Sequence, residues 1–146
     1  ILKKKYSVNT FKNVFLYIHM KLYVFTNARI GKKLFGIPCL LLINIGARTN
    51  KERKTVLVYL EENNSYYIVA SNGGNKNNPS WYHNLKQNPN SQVKIGKNIT
   101  SVEATELYGD ERKEYWVKLN NLNRGGYENY QSRTDRQIPI FKLKIK

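Results

Sequence analysis

Acidic residues are absent from the first 51 positions of this 146-residue chain, which carries 25 Lys and Arg against 10 Asp and Glu in all, a formal net charge of +15. A field of that sign attracts polyanions: nucleic acid, anionic lipid or an acidic small molecule. Cysteine occurs once, at Cys39. That excludes an internal disulfide and gives the expectation of a reducing, cytoplasmic setting. The thiol lies in the apolar run Gly36-Ile37-Pro38-Cys39-Leu40-Leu41-Leu42-Ile43, where Cys behaves as a small hydrophobe. Histidine occurs only at His19 and His83, and no Cys/His cluster has metal-ligand spacing, so no metal site is expected. The longest apolar stretch is broken by Gly36, Pro38, Asn44 and Gly46 and is too short to span a bilayer. Also missing are a secretory signal pattern, a Walker phosphate loop, a Gly-x-Gly-x-x-Gly turn and a Gly-x-Ser-x-Gly elbow. Hydrolysis by a triad, a metal or a carboxylate pair is therefore disfavoured, and a bound cofactor is expected to carry any chemistry.

What is present is core material. The chain is 40% hydrophobic, with 2 Trp, 11 Tyr and 5 Phe, and its length suits a single domain over 1–146 with residues 1–9 frayed. Phe11, Phe15, Ile18, Leu22 and Phe25 recur at helical spacing and predict a helix over 11–30. Val14, Tyr17 and Tyr23 make that helix apolar nearly all round. It is expected to be clamped by packing, with contact to a membrane surface as the second reading. Leu40 to Ile45 reads as a buried strand. Thr55 to Leu60 and Ser65 to Ser71 read as strands joined by Glu61-Glu62-Asn63-Asn64. Asn78 suits an N-cap and Pro79 the first helical position of a short helix through Leu85. A second hairpin is predicted for Gln92 to Ile95 and Ile99 to Glu106 about Gly96-Lys97. Asp110 should cap a helix with Glu111 and Glu114 early and Lys118 and Arg124 late. The chain should close in a strand with Phe141, Leu143 and Ile145 on one face. About six mostly antiparallel strands with flanking helices predict an α+β, mainly β fold, a small split or partly open β-barrel.

Three segments could carry function. Gly46-Ala47-Arg48-Thr49-Asn50-Lys51-Glu52-Arg53-Lys54 is a turn where four cations converge with a hydroxyl, a pattern suited to gripping phosphate or carboxylate. A solvated basic turn would look the same. In Ser71-Asn72-Gly73-Gly74 with Pro79-Ser80-Trp81-Tyr82-His83-Asn84-Leu85, two glycines admit close backbone approach. Trp81 and Asn84 there share a helix face suited to a flat heteroaromatic ring, although Trp81 by itself is more often a core residue. In Tyr127-Glu128-Asn129-Tyr130, two phenols share a helical face and could donate a hydrogen bond or proton, or simply close the mouth of the barrel.

Together with Glu111-Arg112, Tyr115-Trp116 and Gln131 … Thr134-Asp135-Arg136-x-Ile138-Pro139, these segments resemble the deazaflavin-dependent nitroreductases, split-β-barrel oxidoreductases that use coenzyme F420. The resemblance runs from about Leu22 to the C-terminus. It implies that Arg48, Thr49 and Arg53, with Lys54 and Val56 beside them, hold the phosphate and acidic tail of the cofactor. It further implies that Val69, Ala70, Ser71, Asn72 and Gly73, with Ser80, Trp81 and Asn84, line the deazaflavin ring. Ser71, Tyr127 and Tyr130 then face the acceptor. The family turn usually reads Gly-Arg-Lys/Arg-Ser/Thr-Gly followed by Arg and Pro-Leu; Ala47, Asn50 and Val56 depart from it. FMN, which also carries a phosphate, is the runner-up cofactor.

The resemblance implies hydride transfer from reduced F420 to a quinone, nitroaromatic or activated alkene, by a monomer or homodimer. A non-catalytic F420- or FMN-binding protein and a basic nucleic-acid-binding module are the alternatives. The last fits poorly, because the aromatics are not interleaved along a basic groove.

Overall fold

The computed structural model describes Ile18, Lys21, Leu22, Lys33, Leu34 and residues 36–146. The helix predicted over 11–30 lies outside these residues except for Ile18, Lys21 and Leu22, which are helical and exposed.

Eight antiparallel strands form the sheet: β1 (Lys33–Leu34), β2 (Ile37–Ile45), β3 (Glu52–Val58), β4 (Leu60–Glu62), β5 (Ser65–Val69), β6 (Asn90–Ile95), β7 (Asn98–Glu106) and β8 (Ile140–Ile145). The spatial order is β1-β2-β6-β7-β8-β5-β4, with β3 on β2. Within residues 36–146 the helices are α1 (Ser80–Gln87), α2 (Gly109–Leu122) and α3 (Gly126–Gln131), and a 3-10 turn spans Asn72–Gly74. This is the split β-barrel expected from the sequence, with two short strands more than the predicted six.

β2 and β5 are buried along successive positions, on both faces, and read as nearly continuous apolar runs, whereas β7 alternates buried with exposed positions. Inward side chains of successive strands, Leu40 and Leu42, Tyr66 and Ile68, Val93, Val102 and Ala104, and Phe141 and Leu143, build one core closed by Trp81 and Leu85 of α1. Tyr67, Val69 and Ile140 point the other way and pack with Leu107, Tyr115, Leu119, Tyr127 and Ile138 beneath α2 and α3. Tyr67 and Tyr115 stack there at 3.8 Å between ring centroids. Lys118 bridges Glu62 at 2.8 Å and Glu114 at 2.7 Å, tying α2 to β4. Glu106 accepts from Lys86 at 3.0 Å and from the Tyr82 hydroxyl at 3.3 Å, tying α1 to β7.

Several local expectations shift. The first hairpin turns on Asn63 and Asn64 alone, both with positive φ, and its strands are β4 and β5. Asn tolerates that left-handed conformation, so the glutamates stay on the strand. β3 pairs instead with β2, from Cys39↔Val58 to Ile45↔Glu52. Pro79 occupies the cap position of α1 and Ser80 is the first helical residue. Asn78 does not cap; its side chain accepts from Arg136. Nor does Asp110 cap α2, which begins at Gly109; it pairs with Lys113 in the first turn. The hairpin about Gly96-Lys97 and the final strand follow the expectation. Among the described residues no helix is long and apolar enough to cross a membrane.

Candidate functional site

The basic turn is built by its backbone. The Gly46 N–H donates to the Lys51 carbonyl at 2.8 Å, and the Asn50 N–H to the Gly46 carbonyl at 2.9 Å. Asn50 takes φ 53°, the left-handed conformation its short amide tolerates. Asn in place of the family's usual glycine therefore keeps the turn. A Cβ at Gly46 would lie 2.7 Å from Thr49 Oγ1 and 3.3 Å from the Lys51 carbonyl oxygen, so a larger residue would displace the Thr49 hydroxyl. Arg53 Nη2 donates to Thr49 Oγ1 at 3.1 Å, and Lys54 pairs with Glu52 at 3.1 Å. Arg48 and Lys51 are exposed at the rim of the same turn. Val56 sits elsewhere, in the small cluster with Cys39 and Leu41 on the outer face of β2 and β3.

Helix α1 is the hub. Trp81 and Asn84, three residues apart on one face, are both buried, and Trp81 packs edge-on to Phe141 at 6.1 Å. Trp81 thus belongs to the core cluster. Asn84 joins the helix to the basic turn: the Ala47 N–H donates to Asn84 Oδ1 at 2.8 Å. Ser80 is exposed at the first turn. From Ser80 to Asn84 the helix rises about 6 Å, at 1.5 Å per residue.

The loop after β5 takes an unusual path. Asn72, Gly73 and Gly74 have φ of 47°, 63° and 79°. A Cβ at Gly73 would meet nothing within 4 Å, so the loop is open at that point. The next glycine differs: a Cβ at Gly74 would lie 2.6 Å from the Tyr130 carbonyl oxygen and 3.1 Å from Arg133 Cβ. The loop therefore presses backbone to backbone on α3.

On α3, Tyr127 is buried in the outer cluster and Tyr130 is half-buried, with 6.5 Å between their ring centroids. Burial pushes the Tyr127 phenol well above its ordinary range, and the neighbouring Cys39 and Tyr130 push the same way. It is neutral at physiological pH. Arg133 lies over the Tyr130 ring at 5.5 Å.

Arg136 and Gln131, to which the sequence pattern assigns no role, both organise this region. Arg136 donates to the carbonyls of Ala70, Ser71 and Asn75 and to Asn78 Oδ1, at 2.6 to 3.2 Å. Burial draws its guanidinium below the ordinary value. Gln131 accepts from the Ile138 N–H at 2.9 Å and donates to the carbonyls of Thr134 and Arg136. An arginine placed between an aromatic helix and an Ile-Pro lead into a strand was the only signal.

The predicted residues therefore fall into two groups. Arg48 and Thr49 lie on the basic turn and Arg53 and Lys54 beside it at the start of β3, with the turn linked through Asn84 to α1. Val69, Ala70, Ser71, Asn72 and Gly73 lie on one strand end and loop, linked through Gly74 to Tyr130 and through Arg136 and Asn78 to the start of α1. Among the described residues no His, Cys, Asp and Glu cluster could hold a metal.

Over residues 16–144 the sequence matches the family described as F420H(2)-dependent quinone reductase. The chain belongs to that family. An F420H(2)-dependent quinone reductase of Mycobacterium tuberculosis is 40% identical over 131 residues, covering 88% of each chain. A solved structure titled F420-H2 dependent reductase is 39% identical, with a TM-score of 0.67 over 73% of this chain and 94% of that one. Another, described as a domain-swapped dimer, is 32% identical with a TM-score of 0.70, covering 91% of this chain and 99% of that one.

Family membership makes the chain an oxidoreductase and implies F420 as cofactor. The residues present fit such a group. Exposed cations at Arg48 and Lys51 suit its anionic end, and the exposed backbone at Gly73, where a Cβ would meet nothing within 4 Å, is open to close approach.

Proposed function

We propose that this chain, acting as one split-barrel domain over 1–146, transfers a hydride from reduced F420 to a quinone, nitroaromatic or activated-alkene acceptor. The observation that carries the reading is the Ala47–Asn84 bond, which fastens the basic turn to the helix that starts beside the glycine loop. An anion grip and a ring platform are thereby held on a common frame.

In this reading Arg48 and Lys51 take the phosphate and acidic tail, with Arg53 holding Thr49 in place. Charge-assisted bonds of this type contribute about 1.5–3 kcal/mol each where water is excluded. Val69 to Gly73 and the first turns of α1 line the ring, whose reduced form supplies the hydride when bound. Trp81 acts from beneath, as packing that fixes α1. Tyr130, half-buried and beside the loop, orients the acceptor and donates the proton that balances the hydride. Tyr127 supports Tyr130 from inside the cluster, and Ser71 offers its hydroxyl from the loop.

Titration with oxidised F420, followed by quenching of its fluorescence, tests the binding half. No binding at micromolar protein, or equal binding of FMN, contradicts it. Turnover of menadione with reduced F420 tests the reaction, and Tyr130→Phe should lower kcat about 10²-fold. Tight binding with no turnover of any quinone would instead leave a carrier.

A further inference from the structure

The loop Ala70–Asn75 has no side chain of its own that could hold its shape. Three successive left-handed residues, Asn72 to Gly74, turn it back, and Asn72 Nδ2 reaches only forward to the Asn77 carbonyl at 2.8 Å. Its backbone closes one short turn, with the Gly74 N–H donating to the Ser71 carbonyl at 2.9 Å and the Asn75 N–H to the Asn72 carbonyl at 3.2 Å, and further donors to its carbonyls come from outside. Arg136 Nη2 donates to the Ser71 carbonyl at 2.8 Å, and Nη1 and Nη2 share the Ala70 carbonyl at 3.2 Å. Nε donates to the Asn75 carbonyl at 2.9 Å, and Nη1 to Asn78 Oδ1 at 2.6 Å. A planar five-donor fork is the one side chain able to meet four acceptors around a turn at once.

Arg136 is in turn held by α3. Gln131, at the end of that helix, donates to the Arg136 carbonyl at 2.7 Å and accepts from Ile138. The same helix carries Tyr130, whose carbonyl is the atom that Gly74 approaches. The loop and the tyrosine helix thus meet at two points: direct contact at Gly74, and the path Gln131–Arg136–Ala70/Ser71.

We propose that Arg136 is the positioning residue that sets the distance between the loop Ser71–Gly73 and the Tyr130 helix, and with it the spacing of the hydride donor and the acceptor. This rests on the function proposed above. Arg136 acts through the loop, whose carbonyls its guanidinium meets. Its charge is directed to carbonyls, so the geometry of the fork matters more than the charge, and lysine cannot replace it.

Arg136→Lys and Arg136→Ala test this, with Gly74→Ala as an independent change to the second contact. In the cofactor-free protein, amide hydrogen exchange at residues 71–75 should accelerate at least tenfold in both Arg136 variants. Exchange in the β6–β7 hairpin should stay as in the parent. The dissociation constant for oxidised F420 should rise about tenfold, and kcat with menadione should fall further than KM for menadione rises. Arg136→Lys should not rescue either effect, and Gly74→Ala should reproduce the loss of kcat. Unchanged exchange at 71–75 would overturn the proposal, as would full rescue by lysine. Should the parent protein not bind F420 at all, the functional reading fails, while the exchange measurement still decides whether Arg136 positions the loop.

Discussion

Ala47 and Asn84, 37 residues apart in sequence, are joined by a 2.8 Å bond from the Ala47 N–H to the Asn84 side-chain oxygen. The oxygen of the buried amide is committed to the basic turn, which fixes the orientation of Asn84. The sequence pattern assigned Asn84 to the ring. In the structure it also holds the basic turn in register with α1.

Asn84 can therefore be dissected by two substitutions. Asn84→Ala removes the acceptor and should destabilise the fold by about 1–2 kcal/mol while weakening F420 binding. Asn84→Asp retains an acceptor for the Ala47 N–H but adds a negative charge at the grip. It should keep the parental urea midpoint more closely than alanine does and lose F420 affinity at least as severely. Equal affinity of the Asp variant and the parent would remove Asn84 from the site.

Arg48 and Lys51 are the exposed cations at the rim of the turn. Each change to Ala should weaken F420 binding about tenfold, equivalent to ~1.4 kcal/mol, with little change in stability. The loss should shrink as salt rises, because exposed charges are screened. Fluorescence titrations at 20 and 500 mM salt read both effects, and salt-independent binding would exclude the turn as the grip.

Alkaline pH should unfold this protein through its phenols. Burial raises the Tyr127 phenol first, with Cys39 and Tyr130 adding to it, and burial likewise raises Tyr59, Tyr66, Tyr67 and Tyr82. The native state keeps these protons where the unfolded chain, with phenols near pH 10, gives them up. Their contribution is complete below about pH 10 and is lost as pH rises through the native values. Tyr127→Phe should flatten the fall between pH 10 and 11.5 by up to about 1.4 kcal/mol per pH unit. Urea midpoints across that range measure it, and identical slopes would place the Tyr127 hydroxyl in water.

Arg112 tests the support under α2. It is buried, donates to the Ile138 carbonyl at 2.6 Å and lies over the Trp116 ring at 5.0 Å. Arg112→Ala removes a charge-assisted bond and leaves a cavity, and should lower stability by about 2–4 kcal/mol. A shift below 0.5 kcal/mol in chemical denaturation would show that water replaces the guanidinium.

Features that depend on near neighbours were legible before the structure. Gly96-Lys97 makes its hairpin and β8 its strand, because turn chemistry and alternation act over a few residues. The order of motifs likewise revealed the barrel and its family. The Asn63-Asn64 turn shows the boundary of such reasoning: local residues indicated a turn there, but strand pairing shortened it to two.

The site itself divides the same way. The sequence by itself determined which residue types are present: a cationic turn, a glycine loop and a tyrosine helix. Only the tertiary structure decided that Asn84 spends its oxygen on Ala47, that Trp81 and Tyr127 are buried, and that Arg136 gathers the carbonyls of a loop more than 60 residues away. Long-range bonds to backbone carbonyls leave no trace in local composition, since every residue offers the same acceptor. Which carbonyl an arginine meets is settled by the packing of the sheet and helices that bring it there.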